Sequence, residues 1–140
     1  MKARLLERTP GATGSVRILL DGTPLHAIDR LHTGRSSQSP PAIGDEFEPS
    51  FSYQVEEGTE PRLLTPVDGP AERLRHLGDC DYDAVGRILS IDSETPDRRV
   101  LVAKVACAGC VLPSPLDVND PSLIGRFVAF RITQLEVWRA

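Results

Sequence analysis

Three cysteines, three histidines and a run of alternating aspartates are the side chains here able to bind a metal, carry a proton or attack a substrate. Cys107-Ala108-Gly109-Cys110 is the pair with chelating or redox spacing. Two thiolates that close together share a zinc ion or form a reversible disulfide. A four-ligand zinc site needs two more donors, and His76 with Cys80 supplies the only workable spacing. The competing reading is packing. Cys107 closes the apolar run Arg99–Cys107, and cysteine is among the most buried residue types. The Val111-Leu112-Pro113 that follows does not open the helix on which a redox pair normally sits.

Asp79, Asp81 and Asp83 alternate. On an extended segment they share one face at about 6.5–7 Å spacing and offer oxygens to a hard cation. A calcium loop of the EF-hand type also requires glycine sixth and glutamate twelfth, and this chain has Ala84 and Ser90 there. A solvated acidic run is the better reading. His26, His32 and His76 have no adjacent serine, cysteine and carboxylate pattern that marks a nucleophile with its base. Each is expected at the surface, so no catalytic or metal-ligating residue is assigned and no cofactor is implied.

Two features suit recognition instead. Asp45, Glu46, Glu48, Glu56, Glu57 and Glu60 run without an intervening lysine or arginine. Their plain reading is a wet strand face; their functional reading is an anionic patch that steers a basic partner. Trp138 follows Leu135 and Val137 on the opposite parity, which leaves it partly exposed. Tryptophan and arginine are common interface anchors, and Trp138-Arg139 could be one. The candidate binding residues are therefore Glu46, Glu48, Glu56 and Trp138.

The elements that position these groups read as short strands. At 140 residues, 40% hydrophobic and 26% charged, the chain is expected to form a single domain, residues 1–140, with its own core. Twelve prolines and eleven glycines favour strands and loops over long helices. Val16, Ile18 and Leu20 alternate ahead of the turn dipeptide Asp21-Gly22. Leu25–His32 is open between helix and strand, and Ala71–Leu77 reads as one or two helical turns. Asp45–Glu57 is the clearest strand, with Phe47, Phe51, Tyr53 and Val55 inward; Pro49 forces an edge or a bulge. Asp83–Asp92 and Arg99–Cys107 flank a polar turn at Ser93–Arg98, and a proline-rich crossing follows. In the closing run, Val128, Phe130 and Ile132 share one parity while Leu135 and Val137 share the other. A β-bulge near Thr133–Gln134 produces such a phase change.

From Val85 to Arg131 the order G-R-I-L-S-I-D, turn, R-V-L-V-A-K-V, loop, I-G-R-F-V-A-F-R-I resembles the strand rhythm of oligonucleotide-binding (OB) barrels, the S1 type in particular. The resemblance covers about a third of the chain. It implies a small barrel and, in its family, single-stranded nucleic acid as ligand. That ligand requires stacking platforms and a positive groove, whereas this segment presents mainly Arg87, Lys104 and aliphatics.

The expected fold is mostly β: a small OB-like barrel or highly curved antiparallel sheet of five to seven strands, with one or two short helices. The net charge of −4, spread as −3 and −1 over the two halves, argues against nucleic acid as partner. No apolar run approaches the roughly 20 residues that span a bilayer, no secretory signal is read, and three cysteines suit a reduced cytoplasmic setting. The expected function is non-catalytic binding of another protein, of adaptor, inhibitor or immunity type. The alternatives are an OB-like nucleic-acid-binding module and a zinc or redox protein using Cys107 and Cys110.

Overall fold

The computed structural model describes residues 2–9, 14–32, 39–93, 101–116 and 120–140. These residues are mostly strand. In chain order the strands are β1 (Ala3–Arg8), β2 (Ser15–Leu20), β3 (Thr23–Asp29), β4 (Glu46–Phe47), β5 (Pro49–Gln54), β6 (Arg62–Leu63), β7 (Arg73–Gly78), β8 (Asp81–Ser93), β9 (Leu101–Cys107), β10 (Cys110–Leu116) and β11 (Phe127–Arg139). Helix among the described residues is limited to single 3-10 turns at Pro66–Asp68 and Pro121–Leu123. The polar turn read at Ser93–Arg98 lies, beyond Ser93, outside the described residues, as does the Thr33–Gln38 part of the first loop.

The eleven strands among the described residues exceed the five to seven expected, for identifiable reasons. Ala71–Leu77, read as helical, supplies β7, and Leu25–His32 falls in β3 and the turn after it. Both segments are too short to nucleate a helix against a competing strand partner. Pro113 and Pro115, read as a crossing, lie inside β10. Asp45–Glu57 breaks into β4 and β5 on either side of Glu48, beside the proline that had marked the position.

The chain gathers into two compact units: Met1–Gln54, His76–Asp81 and Ile132–Ala140 in the first, Val55–Arg75 and Tyr82–Arg131 in the second. In the first, β1 and β2 pair antiparallel, as do β2 and β3, and β4 pairs antiparallel with β1. The β2–β3 hairpin turns through Asp21 (φ 49°) and Gly22 (φ 82°), two left-handed residues in succession as a tight hairpin requires. On its other side β3 runs parallel to β11, and β11 pairs antiparallel with β5. The parallel pair departs from the purely antiparallel expectation. Period-two alternation buries Leu5, Val16, Ile18, Leu20, Leu25, Ala27 and Phe47.

The bulge in β11 is present where the phase change placed it. The register with β5 shifts between Thr133 and Glu136, and Gln134 takes φ 56°. Ile132, Leu135 and Val137 are consequently all fully buried despite their mixed parity.

In the second unit β8 pairs with β9 and β9 with β10, both antiparallel. The start of β11 pairs with β6. Its core includes Tyr82, Ile88, Val105, Leu112, Val128 and Phe130. Cys107 and Cys110 are ladder partners across a two-residue turn made by Ala108 (φ 46°) and Gly109 (φ 99°). Residues flanking such a turn form a hydrogen-bonded pair, so alternation leaves Pro113 and Pro115 at sites where β9 asks for no N–H.

Gly86 is closely packed in this unit. A Cβ there would collide with the Ala106 carbonyl oxygen and Val105 Cγ1 and lie 2.7 Å from Cys107 Sγ. Backbone cannot yield as a flexible side chain can. Gly86→Ala is therefore expected to destabilise the protein by about 2–3 kcal/mol, in the upper range of overpacking. A urea melt showing an unchanged midpoint would contradict that packing.

Candidate functional site

The sequence-derived candidates divide between the units. Glu46, Glu48 and Trp138 belong to the first unit, while Glu56 belongs to the second. Glu46 is exposed on β4 and paired with Arg4 at 2.8 Å, so part of its charge is already answered. Glu48, also exposed, is the link between β4 and β5, and its carbonyl accepts from the Ala140 N–H at 2.9 Å. Trp138 is half-buried. It lies opposite Ser50 in the ladder, and its indole N–H donates to Ser52 Oγ at 2.8 Å. Ser52 Oγ in turn donates to Glu136 Oε2 at 3.4 Å. Position 52 points outward by alternation, so this chain of polar contacts lies on the outer side of β5 and β11.

The cysteine pair has a different setting from a chelating loop. Both Cys107 and Cys110 are buried and free. Cys107 Sγ contacts the Val105 carbonyl at 3.7 Å, and Cys110 Sγ contacts the Cys107 carbonyl at 3.4 Å, as protonated donors do. Burial first, then the neighbouring Cys110 and Glu72, pushes the Cys107 thiol far above its ordinary value. His76 and Cys80, the other two donors of the hypothetical zinc set, lie in the first unit and not the second. No group of three or more histidine, cysteine and carboxylate side chains among the described residues is arranged to hold a metal ion. The alternating aspartates are likewise separately engaged. Asp79 forms a turn at φ 43°, Asp81 Oδ1 accepts from the Gln134 N–H at 2.9 Å, and Asp83 meets arginines.

The structure assembles a group that sequence spacing does not reveal. A cleft of about 1130 Å³ in the first unit is lined by all three histidines of the chain. His26, on the outer parity of β3, stacks on His76 with ring centroids 4.9 Å apart and planes within 1°. The His76 Nε2–H donates to the Asp79 carbonyl oxygen at 2.7 Å. A carbonyl only accepts, which fixes the proton on Nε2. His32 Nδ1 stands 4.0 Å from Asp29 Oδ1. Fifty residues separate His26 from His76, and only the outward alternation of β3 hinted that His26 faces away from the core.

Both arginines of this cleft have carboxylate partners. Arg8 Nε donates to Asp29 Oδ2 at 3.1 Å, while the Leu31 N–H donates to Asp29 Oδ1 at 3.0 Å. Arg30 lies 3.6 Å from Glu136. Cys80 is the one thiol on the wall, and its pKa is pushed up to about 11, by burial first and then by the flanking charges of Asp79 and Asp81. A thiol so placed stays protonated at neutral pH and is a poor nucleophile.

Comparison with protein-family models, curated proteins and solved structures returns no match. No helix among the described residues is long and apolar enough to cross a membrane.

The Cys80 setting has a pH consequence. The folded-state value lies above the ordinary thiol value of 9.0, so the neutral thiol stabilises the fold fully below pH 9. That contribution is lost as pH rises from about 9 toward 11, because the unfolded chain ionises first. Cys107 acts in the same direction. Urea midpoints are expected to fall over this window and to fall less steeply in Cys80→Ala. Identical slopes for the two proteins would contradict the assignment.

Proposed function

We propose that the chain is a non-catalytic protein-binding module, of adaptor, inhibitor or immunity type, and that a partner docks on the outer side of the Glu46–Gln54 segment beside Trp138. The observation that carries this reading is the setting of Trp138. A half-exposed indole held by Ser52 has lost its rotational freedom on folding, which lowers the entropy cost of docking. Glu48 stands next to the end of β11 through its bond to Ala140, and it supplies an exposed carboxylate near that anchor. An aromatic anchor with acidic neighbours suits a partner with a basic rim. The place of Glu56 in this surface rests on the sequence pattern alone. The protonated Cys80 and the carboxylate-paired Arg8 and Arg30 of the histidine cleft favour recognition over chemistry.

The architecture proposed with this reading is a small barrel in the first unit. Its hydrogen-bonded neighbours run β4, β1, β2, β3, β11, β5, and β5 joins β4 through Glu48. Taking β4 and β5 as one bent strand, the path returns to its start with five strands, in the manner of OB-like Greek-key barrels. This order supports an OB-like core in residues 3–54 and 132–139, whereas the strand rhythm over Val85–Arg131 lies in the second unit.

That order also favours a second reading, single-stranded nucleic acid on the outer face of β2 and β3, where OB folds bind their ligands. The face here carries Arg17, already paired with Glu7 at 3.2 Å, and His26 stacked on His76. Oligothymidylate titrations are expected to show no saturable binding. Saturation with a steep salt dependence would replace the protein-binding reading.

For the preferred reading, capture of the native-host partner by Trp138→Ala is expected to fall about 30-fold relative to wild type, the effect of a ~2 kcal/mol hot spot. Glu46→Gln with Glu48→Gln should slow association several-fold at low salt and not at high salt. Equal capture by wild type and both variants would remove the proposed surface.

A further inference from the structure

The structure assigns a second, separate site: the outer face of β7, β8 and β11 in the second unit, which we propose binds an oxyanion of the phosphate class. Arg73 and Arg75 alternate on β7 and so share one face, about 6.5–7 Å apart along the strand. Asp83 stands on β8 and Arg131 on β11. All three guanidinium groups converge on the one carboxylate, with Nη2 at 3.8, 3.2 and 4.0 Å from its oxygens for Arg73, Arg75 and Arg131. Only the Arg75 contact is a hydrogen bond.

The stoichiometry of donors and charge is the argument. A carboxylate carries one charge and about four lone-pair sites, whereas three guanidinium groups bring three charges and fifteen N–H donors. A shallow hollow of about 290 Å³ beside Asp83 and Arg131 adds Arg62, together with Thr59 and the carboxylate of Glu60. Arg62, Arg73, Arg75 and Arg131 against Asp83, Glu60 and Asp68, the last beside Arg62, leave a local excess of positive charge on a chain whose net charge is −4. Exposed ion pairs contribute little to stability, so one aspartate does not need three arginines to hold the fold. The arginine side chains are 58, 61 and 46% exposed, while that of Asp83 is 25% exposed.

A phosphate anion matches this surplus in sign. Its oxygens can accept forked pairs from several arginines at once, which a single carboxylate cannot. Asp83 then acts as the internal competitor that holds the arginines together when the ligand is absent. The phosphoryl group can belong to a small free oligophosphate or to a phosphorylated side chain; the chemistry of capture is shared.

Calorimetric titration of the full chain at low ionic strength, with pyrophosphate in one arm and a phosphoserine peptide in the other, tests this. Saturable binding of one equivalent is expected. The double variant Arg73→Gln, Arg75→Gln should weaken it at least tenfold, and Asp83→Asn should tighten it several-fold by removing the competitor. Tighter pyrophosphate identifies a free oligophosphate as the ligand, and a tighter phosphopeptide identifies a phosphorylated protein. Failure of both to saturate, undiminished binding by the double variant, or weaker binding by Asp83→Asn would overturn the proposal. Should the double variant melt below wild type, Arg131→Gln tests the same site without altering β7. Trp138→Ala is expected to bind both ligands as wild type does, which separates this result from the fate of the protein-docking surface.

Discussion

One extra residue in β11 is the constraint that most of the first unit depends on. At Gln134 the backbone enters the left-handed region, and its N–H is taken by the Asp81 carboxylate instead of a strand partner. Non-glycine residues occupy that region at a cost, so the bond to Asp81 helps to hold the bulge in place. Beyond it the inward parity changes, and Leu135 and Val137 join Ile132 in the core. Without the change of phase, these two side chains would face solvent and Glu136 would face the apolar interior. The same bulge places Gln134 at the histidine cleft, whose wall also contains Asp81. A packing device therefore also shapes the histidine cleft.

What the sequence reveals depends on whether the determining signal is local. Asp21-Gly22 states its turn through two residues that tolerate positive φ, and the β11 bulge is visible as a break in alternation. Pro49 marks the discontinuity between β4 and β5 because it lacks a donor. Where the signal is weak or non-local, the reading fails. Ala108-Gly109 makes the same kind of hairpin turn as Asp21-Gly22, but alanine at φ 46° is not a turn signature, so the pair of cysteines that flanks it resembles a chelating motif. Arg73–Gly78 has apolar spacing too short to choose between helix and strand, and ladder pairing decides it. The histidine cleft and the arginine cluster depend on contacts between distant segments, which no local pattern encodes.

Charge is distributed to match. At the histidine cleft the arginines have partners of opposite sign: Arg8 with Asp29, and Arg30 with Glu136. At Asp83 the arginines outnumber the acids. On the Glu46–Gln54 segment, Glu46 is paired with Arg4, and Glu48 extends the exposed acidic edge. The modest net charge of the chain conceals these differences, because whole-chain totals average over surfaces of opposite character.

The two prolines of β10 have a further consequence for the protein's behaviour in a crowded solution. Among the described residues β10 ladders with β9 alone, and the donors it turns away from β9 belong to the alternate positions Val111, Pro113 and Pro115. Two of those three carry no hydrogen. A strand from another molecule that approached this edge would find two of the three donors it needs missing, which weakens the runaway edge-to-edge stacking that begins fibre formation.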